Sequence, residues 1–376
     1  HDIIRNKAKI KTGPGTYILV LDFSKAFDRC NIPTLCKKLR MKGINSKLIQ
    51  VIENMFIDAT AALDINGEIG ESFPATRGVP QGCVLSPLFF LIYIDDLLQE
   101  LRENGIKSDI ANELINALAF ADDLSMIAMS PEEAQKLLDI LERWCNNNHF
   151  ELNLKKSGVM KVGGDPNTPE VKISYKGEEL QTLDKIKYLG FQQSKKGSWD
   201  EFLNSIFQSG RAMLAKSWDF FNTEDINFEK KLEIAKLTVL SKLNYGQDII
   251  TLNATQIQQQ ESLLGKTLRA ILKQPRKSKT AALQLIANQQ NIETQFASRR
   301  LQNYFRIKSL DEKRLLKKLI QDKTWLKNSE TFQTYKNDLN RAKRICRRNS
   351  TKENELKNCE MNYSKEINKR IIKHIF

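Results

Sequence analysis

The 376-residue chain contains no apolar run long enough to cross a membrane, which takes about 20 consecutive apolar residues as a helix. Its first stretch, "HDIIRNKAKIKTG", lacks the apolar segment of a signal peptide, so nothing argues for secretion. The six cysteines (30, 36, 83, 145, 346 and 359) include no CxxC pair. Reduced thiols of an intracellular protein are the expected reading. Cys346, Cys359 and His374 fit no usual zinc spacing. No internal repeat is present. With 41% hydrophobic and 28% charged residues, the composition is that of an ordinary globular protein of two or three packed units. The chain begins with His rather than Met, which suggests a piece of a longer polypeptide.

Charge is distributed unevenly. Residues 260–376 hold 28 Lys and Arg against 11 Asp and Glu, so the whole net charge of +14 lies in the C-terminal third. Such a surface suits a polyanion, because neutralising phosphates releases counterions. A solvated set of Lys-rich helices is the plainer alternative.

The pattern alternates early and turns helical late. "GTYILVLDF" (15–23) is a continuous β-rich apolar run that reads as a buried strand ending at Asp22. Amphipathic helices are predicted around 31–41 and 45–57, then a hairpin turning at Asn66-Gly67. A helix is expected from Pro131 to about Asn146. Short strands are expected at Lys172–Tyr175, Glu179–Leu183 and Lys187–Gln192. Beyond Gly197 the pattern is helical, with breaks near Asn222–Asn227, Asn253–Thr255 and Pro275. The expected class is an α+β unit followed by an all-α region.

Two look-alike strings each present adjacent carboxylates after an aromatic residue: "LIYIDD", ending at Asp95-Asp96, and "LAFADD", ending at Asp122-Asp123. Paired carboxylates are a common way to hold divalent metal. The first pair lies in "SPLFFLIYIDDLLQELRENG", where Ser86 reads as the N-cap, Pro87 as the first helical residue and Gly105 as the stop. Adjacent residues on a helix point about 100° apart, so Asp95 and Asp96 read as a polar helix face. The second pair falls between two apolar runs too short for separate helices, which predicts strand, tight turn, strand. A turn at the lip of a sheet can bring Asp122 and Asp123 to Asp22, and three such carboxylates suit two hard cations.

"YILVLDFSKAFDRCN", "RGVPQGCVLSPLFFLIYIDDLL", "LAFADDLSMIA", "LNLKKS" and "YLGFQQS" occur in the order and approximate spacing of one family. Over residues 15 to about 195 the chain resembles the reverse transcriptases of non-LTR (LINE-type) retrotransposons. The resemblance implies a right-hand polymerase palm, an antiparallel sheet packed on helices, with residual fingers over residues 1–197. A helical thumb-like region over 198–300 and a basic helical extension over 301–376 follow by position. It implies extension of a primer with dNTPs on an RNA template, with two Mg2+ ions, or Mn2+ in their place. RNA template and DNA primer or target are the implied partners, with no membrane, and a nuclear location is expected.

The implied roles fall on the matching residues. Asp22 binds both metals, with the main-chain carbonyl of Phe23 as a further ligand, and Asp122 is the second metal carboxylate with Asp123 beside it. Phe27 is the aromatic that excludes a ribose 2′-hydroxyl, although a core role is the plainer reading. Gln81 and Gly82 lie along the nascent pair and incoming nucleotide, and Arg77 meets template or phosphate. Lys156 protonates or steadies the departing pyrophosphate, unless it is an ordinary surface lysine. Tyr188, Leu189 and Gly190 form the primer-grip hairpin. "RKSK" (276–279), Arg299-Arg300 and "RAKRICRR" (341–348), with Trp325 and Tyr335 as stacking aromatics, are candidate template-primer contacts; the last basic cluster also reads as a nuclear-import signal.

Only about 15 residues precede the first catalytic strand, whereas the family has a fingers region there. No endonuclease or CCHC knuckle is recognisable. The alternative reading is therefore a catalytically inactive relic that binds RNA or DNA through its basic helices.

Overall fold

The computed structural model describes residues 1–104, 116–167 and 172–346. Gly105, Cys359, His374 and the end of the 341–348 basic cluster lie outside the described residues. The chain divides into two compact units, one ending at Gly197 and the other running from Ser198.

The first unit opens with helix α1 (Asp2–Lys7), strand β1 (Thr16–Asp22) and helices α2 (Ile32–Met41) and α3 (Ser46–Asn54). Four two-residue strands follow: β2 (Thr60–Ala61), β3 (Asp64–Ile65), β4 (Glu68–Ile69) and β5 (Phe73–Pro74). Next come helix α4 (Ser86–Glu103), strands β6 (Ala117–Phe120) and β7 (Asp123–Ala128), helix α5 (Pro131–Asn148) and strand β8 (Gly158–Val162). Strands β9 (Ser174–Tyr175), β10 (Glu178–Glu179), β11 (Gln181–Thr182), β12 (Lys185–Tyr188) and β13 (Phe191–Ser194) complete it. The main sheet runs β11-β8-β1-β7-β6, antiparallel except for β11 beside β8.

Strand β1 is central and buried on both faces, which is why it reads as an unbroken apolar run. Successive side chains on a strand point to opposite faces. Tyr17, Leu19 and Leu21 enter the main core with residues of α2, α4 and α5, including Leu35, Phe90, Tyr93 and Trp144. Ile18 and Val20 pack on the other side against Ile4, Met160, Val162 and Ile186. Helix α5 is capped by Ser130, whose hydroxyl accepts from Glu133 N at 3.2 Å, while the Glu133 carboxylate accepts from Met129 N at 2.6 Å. Asn66 and Gly67 both have positive φ (56° and 90°), the backbone that a two-residue hairpin turn demands.

Two local expectations are corrected. Ser86 is the first helical residue rather than the cap. A turn at Pro80–Leu85 enters the helix directly, and the Ser86 hydroxyl donates to the Pro80 carbonyl at 2.7 Å. Lys187–Gln192 is not one strand: Leu189 (φ 49°) and Gly190 (φ 77°) turn the chain between β12 and β13, pairing Tyr188 with Phe191.

The second unit is helical among its described residues. It contains α6 (Asp200–Lys216), α7 (Trp218–Asn222), α8 (Phe228–Ala235), α9 (Ser241–Leu243), α10 (Ala254–Ile271), α11 (Thr280–Ile286), α12 (Ile292–Lys308), α13 (Leu315–Gln321), α14 (Lys323–Asn328) and α15 (Glu330–Cys346). The expected breaks fall between these helices. Asn227 caps α8, and Asn253 caps α10, by accepting from the main-chain N–H three residues on. Among the described residues no helix is long and apolar enough to cross a membrane.

Candidate active site

Asp22 is the last residue of β1, at the point where the sheet meets a tight turn. Its neighbour β7 begins at Asp123, and the antiparallel register sets Asp22 directly opposite Asp123. Opposed residues of an antiparallel pair have Cα atoms about 4.5–5.5 Å apart. Strands β6 and β7 are joined by Ala121 and Asp122, with Phe120 opposite Asp123 and Ala121 in the left-handed region (φ 53°). The short loop therefore holds Asp122 at the lip of the sheet beside the end of β1.

A second segment buttresses that end. The Asp22 main-chain N–H donates to the Ser157 hydroxyl at 3.1 Å, and its carbonyl accepts from Asn153 N at 2.8 Å. Phe23 bridges to Leu152, and its ring packs against Trp144 and Phe150. The 153–157 turn also brings Lys156 Nζ to 3.7 Å from Asp22 Oδ2, with most of the lysine in solvent. Burial first, then the charges of Asp122 and Asp22, push the Asp123 carboxyl above the ordinary carboxylate range. These three carboxylates thus share one electrostatic neighbourhood. Among the described residues, no three acidic, His or Cys side chains converge tightly enough to form a ready-made cage for one ion. The donor set is nevertheless of the right kind, since mutually repelling carboxylate oxygens attract a hard divalent cation.

The other look-alike pair is used differently. Asp96 Oδ1 accepts from Lys38 Nζ at 2.9 Å and from Trp144 Nε1 at 3.1 Å. Asp95 pairs with Lys42. These carboxylates tie α4 to α2 and α5.

The remaining candidates surround the Asp22 end of β1 to different degrees. Phe27 is half-buried in a 3-10 turn (Phe27–Arg29), its ring stacked on Phe90 at 4.9 Å. The 77–82 loop folds over this turn: Val79 N donates to Phe27 O at 2.9 Å and Gly78 N to Cys30 O at 2.8 Å. A side chain at Gly78 would meet the Asp28 backbone at 3.0 Å, so close packing explains that glycine. Arg77, Gln81 and Gly82 are exposed, and Gly82 (φ 90°) has open space where a Cβ would stand. Tyr188, before the Leu189-Gly190 turn, donates its hydroxyl to Leu118 O of β6 at 3.3 Å. Burial, then the Asp123 charge, push the Tyr188 phenol upward. That hairpin consequently sits against the strand leading into the Asp122 turn.

Sequence reading missed Ser157, Asn153 and Arg29. Arg29 donates to Ser24 O at 2.9 Å and to Glu151 at 2.6 Å, fixing the loop that follows Asp22. Ser157 closes the "LNLKKS" string, which was the available signal. In the second unit two nucleic-acid candidates are buried and a third is partly buried. Arg300 is buried in an ion pair with Asp338 at 2.7 Å, Tyr335 is 1% exposed and donates to Asp248 O, and Trp325 packs in the same apolar cluster as Tyr335. Arg276, Lys277, Lys279 and Arg299 remain exposed.

With the geometry in place, residues 2–193 match the family model described as reverse transcriptase (RNA-dependent DNA polymerase). The chain belongs to this family. It is 32% identical over 48% of its length to the Pol polyprotein of the type-2 retrotransposable element R2DM of Drosophila melanogaster, covering 18% of that protein. It is 24% identical over 67% of its length to the RNA-directed DNA polymerase from the mobile element jockey of the same species, covering 28% of that protein. A type-1 R2 element polyprotein from Popillia japonica is 26% identical over 68% of this chain and 36% of its own length. These relatives are reverse transcriptases of the non-LTR group, and this reverse transcriptase chain spans 18–36% of their lengths. A solved apo telomerase from Candida tropicalis superposes over 96% of this chain and 55% of its own, at 13% identity and a TM-score of 0.43.

Proposed function

We propose that this reverse transcriptase chain is the polymerase core of a non-LTR retrotransposon protein, extending a primer 3′ end with dNTPs on an RNA template. The observation that carries the reading is the register placing Asp22 opposite Asp123, with Asp122 in the adjoining turn and Lys156 beside Asp22. Residues 1–197 act as palm with residual fingers, 198–300 as a thumb-like region and 301–376 as a basic extension working in the nucleus.

Asp22, Asp122 and the Phe23 carbonyl are the groups that would hold two Mg2+ ions, or Mn2+ in their place. Bound there, such ions neutralise charge at the reacting phosphate and lower the pKa of the attacking hydroxyl. In the reaction the primer 3′-oxygen gives up its proton to solvent and bonds to the α-phosphorus as the bond from that phosphorus to the pyrophosphate oxygen breaks. Lys156 donates a proton to the departing pyrophosphate, from a position where Asp22 also holds it. Phe27, backed by Phe90, walls the sugar position and rejects a 2′-hydroxyl by contact alone. Gln81 and Gly82 present backbone to the nascent pair, Arg77 offers a cation to template phosphate, and the Tyr188-Leu189-Gly190 hairpin holds the primer end. Such positioning is worth up to about 7–11 kcal/mol of the barrier.

Primer extension by the protein on a primed RNA template, with dNTPs and Mg2+, tests the reading. Metal-dependent product supports it. Salt-sensitive RNA binding without extension under any divalent metal, unchanged by Asp22→Ala, would instead establish a nucleic-acid-binding relic.

A further inference from the structure

The first unit holds a cationic concavity at the opposite end of β1 from Asp22. Seven residues of strand, at about 3.3 Å each, put about 20 Å between them. The cavity, of about 520 Å3, is lined by Arg5, Lys9, Lys11, Lys161, Lys195 and Lys196, with Asp165 the one carboxylate. Asp165 is committed locally, accepting from Asn167 N at 2.8 Å. Lys195 pairs with Asp184 at 2.5 Å, whereas Lys9, Lys11 and Lys196 are exposed and make no ion pair among the described residues.

Three segments far apart in sequence converge to make this cluster, and tight backbone contacts hold them. Gly164 N donates to Ile10 O and Asp165 N to Gly13 O, both at 2.9 Å. Gly163 (φ 67°) leaves no room for a side chain, since a Cβ would lie 2.1 Å from Lys7 O. Gly197 (φ 66°) likewise brings the 195–196 turn against α1, its missing Cβ lying 2.5 Å from Arg5 Cα. Lys9, Lys11 and Lys196 thus leave a local excess of positive charge that an anion would offset. No aromatic side chain lines the cavity, so it offers phosphate contacts without base stacking.

We propose that this concavity binds the phosphate backbone of a single nucleic-acid strand, outside the active site and without sequence preference. The proposal rests on the polymerase reading only in choosing nucleic acid among polyanions. The test measures binding of a fluorescent oligouridylate across a KCl series in EDTA, where no turnover occurs, so a catalytically dead protein still answers it. Single-strand binding loses about 0.7 in log–log salt slope per phosphate contact removed. Lys9→Gln with Lys196→Gln should therefore flatten the slope by about 1.4 and weaken binding roughly 25-fold at 0.1 M salt. The paired control, Lys37→Gln with Lys47→Gln on exposed faces of α2 and α3, should leave the slope unchanged. Equal effects from both pairs would overturn the proposal, because any surface lysine would then serve. So would unchanged RNA binding combined with lost binding to inorganic tripolyphosphate or to phosphatidylserine vesicles.

Discussion

Replacing Asp96 with alanine should destabilise the first unit by about 3 kcal/mol without entering the chemistry. Lys38 is the reason: its side chain is 12% exposed, and its ammonium lies 4.4 Å from the centre of the Tyr93 ring. Burial holds Lys38 below the ordinary lysine range, and Asp96 pulls it back. Without the carboxylate the ammonium keeps the Tyr93 carbonyl at 2.6 Å as its hydrogen-bond acceptor, beside the Tyr93 and Trp144 rings. Breaking a fully buried pair costs about 3–5 kcal/mol, but Asp96 is itself 54% exposed and water replaces part of it. A charge-assisted hydrogen bond at the low end, about 2 kcal/mol, and about 1 kcal/mol for the orphaned Trp144 N–H give the total. Asp95→Ala, removing a half-exposed pair with Lys42, should cost under about 0.5 kcal/mol. Urea unfolding followed by circular dichroism separates the two. Asp96→Ala matching Asp95→Ala in midpoint would refute this account of the helix-borne pair.

Other outcomes follow from the same geometry. Because Asp123 titrates above its unfolded value, its folded form binds the proton more tightly. Its stabilising contribution is present below the unfolded carboxylate pKa and is lost as pH rises through the folded one. Asp123→Asn in EDTA should therefore be more stable than wild type at neutral pH, with the difference vanishing in acid, as thermal melts across pH would register. Burial pushes the Cys30 and Cys145 thiols up to about 12, while hydrogen bonds from the Leu85 main chain and from Ser86 pull partly exposed Cys83 down. Mass spectrometry after brief alkylation should find Cys83 labelled well before either buried thiol. Phe27→Ala should raise rNTP use relative to dNTP by at least tenfold in single-nucleotide incorporation; an unchanged ratio would leave Phe27 as core packing alone.

Much of this was readable in the sequence because the relevant forces are local. The run at 15–23 announces a buried strand, and Pro131 marks a helix start. The two Asp-Asp strings differ in backbone context, and the structure places one on α4 and the other at a β turn. What escaped depends on partners distant in the chain. Ser157 meets Asp22 across 135 residues, and Arg300 meets Asp338 from another helix. A basic residue on an amphipathic helix looks the same in sequence whether it faces water or a buried carboxylate. Periodicity alone reads 187–192 as one strand, whereas the family resemblance, through Tyr188-Leu189-Gly190, implies the hairpin found there.

The most direct test of the central claim is single-nucleotide incorporation on a primed RNA template by matched, folded variants. Asp122→Ala and Asp22→Ala should each lower the rate by at least a thousandfold, while Asp95→Ala keeps it within about twofold of wild type. Equal losses from Asp122→Ala and Asp95→Ala would contradict the assignment of the metal site to the β6–β7 turn.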